Sequence, residues 1–298
     1  MPAETARPVV FGEVLFDQFP DGSVVLGGAP FNVAWHLQAF GANPLFVSRV
    51  GDDALGRRIR GAMQGWGMDC AGLQLDSAHP TGTVAVSLAD GEPSYEIVPH
   101  RAYDYIEAGA LPPVAQPGLL YHGSLALRNP VSRAAFERLR ADLDAPVFVD
   151  VNLRPPWWER EQVVDALRQA RWAKLNQAEL QTLYPETDGL DAGVDTLFGD
   201  SHLHTVIATR GARGALVRSR AGVTETVEPA RGGVDVVDAV GAGDAFASVM
   251  VLGLLRDWPL ADCLARAQSF ASAVVGVRGA TVADPAFYAR YRAAWETG

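Results

Sequence analysis

A three-layer α/β sandwich carrying a small β-sheet lid is the fold this sequence predicts, and three observations predict it. Short apolar runs alternate with amphipathic stretches along most of the 298 residues, the pattern of a parallel sheet covered by helices on both faces. Two strand-like segments, residues 14–25 and 82–98, break that rhythm and turn back at Asp21-Gly22 and Asp90-Gly91. No internal repeat, low-complexity tract or Pro/Gly/Ser-rich linker divides the chain. Residues 1–298 therefore read as one domain.

Taken in order, Pro8–Phe11 reads as the first strand. Pro30–Phe40 reads as a helix, with Val33, Ala34, Leu37 and Phe40 at helical spacing and Gly41 as its stop. Pro44–Val50 is a strand, and the next helix sets Leu55, Ile59, Met63 and Trp66 on one face before Gly67. Strands follow at Gly118–His122, Val147–Val151, Ala173–Leu175 and Thr205–Thr209. Helices fall near Ser132–Arg140, Val163–Ala170 and Ala178–Leu183, and Ala242–Leu255 has helical apolar periodicity.

Composition excludes several classes. A formal net charge of −10 disfavours nucleic-acid and anionic-membrane partners, and an anionic substrate must be held by local features. No run approaches the roughly 20 apolar residues of a membrane span. Met1–Pro8 lacks the apolar core of a signal peptide, so a cytoplasmic location is expected. Cys70 and Cys263 are two distant thiols and read as buried small side chains rather than a disulfide or metal site. His79, His100, His122, His202 and His204 have no metal-site spacing, and no Ser-His-Asp order or Cys-x-x-Cys pattern suggests hydrolase or redox chemistry.

The chemistry is concentrated in Val237-Asp238-Ala239-Val240-Gly241-Ala242-Gly243-Asp244-Ala245-Phe246. Gly241, Ala242 and Gly243 sit at a helix N-terminus, where small residues let backbone N–H groups converge on an anion and the helix dipole adds positive potential. Asp244 is a carboxylate in that first turn. Phosphoryl transfer to an alcohol needs both parts together, amides for the transferring group and a base for the attacking hydroxyl. Taken alone, the same four residues also fit an ordinary helix cap with an acidic first turn.

They do not stand alone. Asp238–Asp244 resembles the C-terminal signature of PfkB-type, ribokinase-like carbohydrate kinases, Asp-Thr-x-Gly-Ala-Gly-Asp. The N-terminal signature of that family is matched by Gly27-Gly28-Ala29-Pro30-Phe31-Asn32-Val33-Ala34, then Gly41, then Val50-Gly51-Asp52-Asp53 with Gly56. Between them, Asn176-Gln177-Ala178-Glu179 resembles the Asn-x-x-Glu element. The order and spacing agree over almost the whole chain.

The resemblance implies an ATP-dependent sugar kinase with Asp244 as base. It places a hydrated Mg²⁺ at Glu179, with Asn176 beside it; a solvated acidic helix face is the alternative for Glu179. The segment Thr209-Arg210-Gly211-Ala212-Arg213-Gly214 resembles the nucleotide-side loop, where Thr209, Gly211 and Gly214 would approach the nucleotide and Arg210 and Arg213 supply positive charge. A surface turn with two solvated arginines fits equally. Gly279-Ala280 resembles the last nucleotide-site segment. Asp238 and carbonyls near it would bind K⁺ or a similar monovalent cation, and a backbone ligand survives the replacement of the usual Thr by Ala239.

On the sugar side, the resemblance implies that Asp17 accepts bonds from sugar hydroxyls, that Gly28 lets the backbone approach the ring, and that Asn32 donates and accepts. Asp150-Val151-Asn152-Leu153-Arg154-Pro155-Pro156-Trp157-Trp158 is similar to bacterial fructokinases, with a related version in 2-keto-3-deoxygluconate kinases. Arg154 is the candidate anion contact, for a phosphate or a substrate carboxylate, and the two tryptophans read as packing. A lid from segments 14–25 and 82–106 would close over the sugar and, as in many relatives, form a homodimer contact. Fructose to fructose 6-phosphate is the first expectation, because Gly28-Ala29-Pro30 resembles the fructokinase version of the signature. The rivals are 2-keto-3-deoxygluconate kinase, ribokinase, a nucleoside kinase, and a catalytically silent sugar-binding relative.

Overall fold

The computed structural model describes residues 6–89, 92–229 and 237–296. The expected Asp90-Gly91 turn lies outside the described residues. Thirteen strands form two sheets among these residues. They are β1 (Arg7–Phe11), β2 (Leu15–Gln18), β3 (Val24–Gly27), β4 (Leu45–Gly51), β5 (Leu73–Asp76), β6 (Gly82–Ala89), β7 (Glu92–Ile97), β8 (Pro117–His122), β9 (Val147–Asp150), β10 (Trp172–Asn176), β11 (Thr205–Thr209), β12 (Ala215–Ser219) and β13 (Thr224–Val227). The main sheet runs β13-β12-β11-β10-β9-β8-β1-β4-β5. From β11 to β5 every pairing is parallel, and only β12 runs against its neighbours. The smaller sheet, β3-β2-β6-β7, is the expected lid. Its strands stop at Ile97, and Ala102–Tyr105 instead forms a 3₁₀ turn whose Tyr103 is buried in the main core.

Nine α-helices cover the sheet among the described residues: α1 (Ala29–Ala39), α2 (Ala54–Gly65), α3 (Pro130–Leu143), α4 (Arg160–Gln169), α5 (Gln177–Leu183), α6 (Gly189–Asp200), α7 (Ala242–Leu255), α8 (Leu260–Val275) and α9 (Pro285–Glu296). Local chemistry sets several starts. Asp53 accepts from the Gly56 amide to cap α2, and Asn129 accepts from the Val131 amide to cap α3.

Alternation along β1 creates the three layers. Val10 packs in a core with residues of α1, α2, α7, α8 and α9, whereas Val9 and Phe11 point to the opposite core with α3 to α6. Helix α7 has no polar stripe: Ala245–Gly253 are all buried, because α7 is packed against both α1 and α8. Its N-terminus is thereby held rigidly at the carboxyl edge of the parallel strands.

The strand order turns at β1, with β4 on one side and β8 on the other. Such a switch point opens a crevice at the strands' carboxyl ends, where ligands of open α/β sheets bind.

Candidate active site

Every sequence-derived site residue belongs to that edge, to the lid strands or to a loop facing it. The β1–β2 link brings Glu13, β2 brings Asp17, and β3 leads through Gly28 into α1 and Asn32. Gly28 has φ 108°, and a side chain there would strike the Glu13 carbonyl at 2.7 Å, so only glycine fits this passage. The Asp17 carboxylate lies beside Gly27 of the neighbouring lid strand, 3.8 Å from where a Cβ would stand. Burial raises the Asp17 pKa, and Arg154 opposes this.

Gly241 caps α7 in a left-handed conformation, φ 80°, with Ala280 filling its β position; a Cβ would come within 2.4 Å of that methyl. The loop holding Gly279 is thus wedged against the helix start. Asp238 fastens it further, accepting from the Val240 amide at 3.0 Å and from the Gly279 amide at 3.0 Å. No described residue accepts from the amides of Gly243 and Asp244, the free donors expected of a helix start. Asn32 Nδ2 donates to Asp244 Oδ2 at 2.8 Å. Burial pushes the Asp244 pKa up to about 6; the Asn32 bond pulls it down, Asp150 raises it, and Lys174 and Arg154 lower it. At neutral pH it is still mostly ionised and well matched to accept a proton.

On the other half of the sheet, Asn176 ends β10 and Thr209 ends β11, opposite each other in register. Asn176 and Glu179 form a reciprocal cap: Asn176 Oδ1 accepts from the Glu179 amide at 2.9 Å, and Glu179 Oε2 from the Asn176 amide at 2.8 Å. Glu179 Oε1 also accepts from the Leu153 amide at 2.9 Å, tying α5 to the loop that carries Arg154. Each oxygen keeps a lone pair, which fits hydrogen bonding to the water shell of Mg²⁺ rather than direct ligation. No group of three or more His, Cys, Asp or Glu fit to hold a metal occurs among the described residues.

Other placements are more modest. Gly214 leaves room for the Val227 carbonyl of β13, so strand packing already requires glycine there; the β position of Gly211 is open. Arg213 donates to Gln177 Oε1 at 2.8 Å, joining the Thr209–Gly214 loop to α5. Trp157 and Trp158 pack against the α3–α6 core, and Arg128 stacks over Trp157 at 4.5 Å. His202 and His204 are exposed and Cys263 is buried, as expected; Cys70 is half-buried.

Sequence reasoning passed over three features. Glu13 is buried with Oε2 unpaired, and burial pushes its pKa up to about 7. Tyr121, Asp150 and Lys174 form a buried polar cluster beneath α7. The visible signal was a lysine inside the apolar run Trp172-Ala173-Lys174-Leu175. His36, one turn after Asn32, bonds the Ala280 carbonyl through Nε2 at 3.0 Å.

A strand-order switch point, a helix start with free amides and a carboxylate beside them suit phosphoryl transfer to a small molecule. The chain belongs to the pfkB family of carbohydrate kinases, whose family model matches residues 9–286. It is 32% identical to a fructokinase from Klebsiella pneumoniae, over 93% of this chain and 95% of that one. It is 33% identical to an aminoimidazole riboside kinase from Salmonella typhimurium, over 87% and 84%. Among solved structures, a fructokinase double mutant from Vibrio cholerae with bound fructose, ADP and potassium ion superposes with a TM-score of 0.83 at 26% identity, covering 96% of this chain and 98% of that one. An aminoimidazole riboside kinase from Salmonella enterica with aminoimidazole riboside and an ATP analogue gives 0.80 at 28% identity, over 96% and 99%. The chain is thus a sugar kinase with the ribokinase-like three-layer fold.

Proposed function

We propose that this kinase transfers the γ-phosphoryl group of ATP to a hydroxyl of fructose, giving fructose 6-phosphate. The observation that carries the reading is the Asp244 carboxylate, held by Asn32 at the amide-rich start of α7. Asp244 would take the proton of the attacking hydroxyl while the Gly241–Asp244 amides receive the transferring group. Asp17 would accept bonds from sugar hydroxyls. Asn32 Oδ1 is buried without a protein partner, an acceptor suited to another hydroxyl. Arg154, whose charge acts on Glu13, Asp17 and Asp244 alike, would draw the anionic phosphoryl end into the same space.

The nucleotide would lie across Asn176, Thr209, Gly211, Gly214 and Gly279. Glu179 would hold Mg²⁺ through water, an ion that neutralises phosphate charge. The carbonyls around Asp238 and Gly279 would hold K⁺; a fructokinase from Vibrio cholerae is known in a potassium-bound form, which supports a cation in this kinase. Closure of the lid would expel water from the reacting groups. Val25 and Tyr95 stand 37% and 52% exposed on the lid sheet, which supports a homodimer formed there. We place the enzyme in the cytoplasm; no helix of the described residues is long and apolar enough to cross a membrane.

A second reading, aminoimidazole riboside as substrate, is supported by a relative of similar identity, 33% against 32%. A coupled ADP-release assay with Mg²⁺ against fructose, 2-keto-3-deoxygluconate, ribose and aminoimidazole riboside separates the readings. Fructose should give the highest kcat/KM, because a site built around specific polar groups rejects substrates lacking their partners. A higher value for any of the other three reassigns the substrate; no turnover with any sugar or riboside removes the kinase reading's catalytic half.

A further inference from the structure

Three adjacent strands of the main sheet each place a polar side chain on the face that carries α7. Tyr121 lies near the end of β8 and Asp150 at the end of β9, and Lys174 of β10 stands opposite Asp150 in the register. Phe148 and Trp172, two residues before Asp150 and Lys174, pack in the core with α7 and α8, so alternation sends Asp150 and Lys174 to that same face. Lys174 Nζ donates to Asp150 Oδ1 at 2.9 Å and to Oδ2 at 2.8 Å, and the Tyr121 hydroxyl donates to Oδ2 at 3.1 Å. A Cβ on Gly243 would stand 3.7 Å from Lys174 Nζ. The ammonium therefore lies directly under the first turn of α7, the turn that carries Asp244.

An ion pair this deep, with side chains 2% and 8% exposed, is an expensive way to fill a sheet face. Apolar residues of similar size are often as stable or more so. The neighbouring positions on the same strands are indeed apolar: Phe148, Val149, Ala173 and Leu175 are all buried. The fold gives no reason for charge at 150 and 174. Their place beneath Asp244 does.

Resting on the reading of Asp244 as the base, we propose that Tyr121, Asp150 and Lys174 form a positioning module for phosphoryl transfer, whose locked charges fix the electrostatic field at Asp244 and so set the pH range in which it works. The groups facing Asp244 are Glu13 from the β1–β2 link, Asn32 from α1, Tyr121, Asp150 and Lys174 from three strands, and Arg154 from the loop after β9. Asp150 and Lys174 act on Asp244 with opposite sign, Asp150 favouring its protonated form and Lys174 its ionised form. Among the charged groups facing Asp244, they are the two bonded directly to each other. Tyr121 holds the Asp150 carboxylate in place from the other side. Arg154, by contrast, is exposed, and the only hydrogen bond of its side chain among the described residues is a long one, 3.5 Å, to the Leu153 carbonyl.

The opposite signs provide the test. kcat/KM is measured against pH for the wild type, Lys174→Met, Asp150→Asn and the double variant, with Mg²⁺ and ATP held constant and the best sugar of the panel as acceptor. Lys174→Met should move the acid limb of the profile to higher pH by about one unit, and Asp150→Asn should move it lower by a similar amount, each about a tenfold change in proton affinity. The double variant should return towards the wild type. A purely structural role lowers kcat in every variant without moving the limb in opposite directions, so a limb that stays in place or moves the same way in both overturns the inference. Should Lys174→Met not fold, the remaining pair decides: the double variant must have its limb above that of Asp150→Asn, and coincident limbs overturn the inference. A wild type without an acid limb, or an Asp244→Asn variant at full turnover, overturns the base assignment and the inference with it.

Discussion

At the scale of single residues, the jobs proposed for Asp244 and Glu179 are separable. Replacing Asp244 by Asn keeps the shape and the contact with Asn32 but removes the proposed proton acceptor. Turnover should fall by about 10²–10⁴, the usual worth of a general base, while sugar and nucleotide binding stay within a few-fold by calorimetry. Wild-type turnover in the purified variant would place the base elsewhere. Glu179 accepts from two backbone amides, at Asn176 and Leu153, and its charge is what a hydrated Mg²⁺ would sense. Glu179→Gln should lower activity in a way that added Mg²⁺ partly restores. Superimposable Mg²⁺ titrations for variant and wild type would leave Glu179 as a helix cap alone. Both residues were legible in the sequence because their spacing is local. Lys174 was not, since its meaning depends on standing across from Asp150, 24 residues away, on a neighbouring strand.

At the scale of elements, α1 and α7 are the pair that builds the site. Helix α1 delivers Asn32 to Asp244 and, one turn later, His36 to the Ala280 carbonyl, whose residue is wedged against Gly241. The entry to α1 is therefore a sensitive position. Gly28→Ala puts a side chain on a φ of 108° and within 2.7 Å of the Glu13 carbonyl. The variant should lose about 1–3 kcal/mol of stability from backbone strain, and kcat should fall with it as Asn32 shifts. A thermal melt and kcat both equal to wild type would show that this passage relaxes freely. Central elements such as β1, β4, β11 and α7 were readable to within a residue or so, because buried strands and helices carry long apolar patterns. The four-residue strands β5 and β13 lie at the sheet's two edges and were not read. Pairing rather than a local apolar pattern makes them strands: β5 adds to β4 across helix α2, and β13, Thr224-Glu225-Thr226-Val227, folds back on β12 with a single apolar residue. The lid was also drawn too long, since Tyr103 and Ile106 are apolar for the sake of the main core.

At the scale of the whole molecule, the fold gathers Glu13, Asp17, Asp150, Glu179 and Asp244 along one edge of a protein that already bears a net charge of −10. Burial makes ionisation costly there, and Glu13 and Asp244 feel it most among these carboxylates, with pKa values pushed up to about 7 and about 6. A carboxyl group that binds its proton more tightly in the folded chain than in the unfolded one stabilises the fold at low pH. That contribution is complete below the unfolded value and is lost as pH rises through the folded one. For Glu13 the window runs from about 4.5 to about 7. The enzyme should therefore hold its active site at some expense in stability near neutral pH, the usual exchange between function and stability. Glu13→Gln removes the ionisation but keeps the size, so urea melts of variant and wild type isolate this one group. Between pH 5 and pH 8 the wild type should lose up to about 3 kcal/mol relative to the variant, the free energy of a shift of about 2.5 units. The variant should be the more stable protein at pH 8, and stability curves that run parallel across that range would show that Glu13 is not held protonated by the fold.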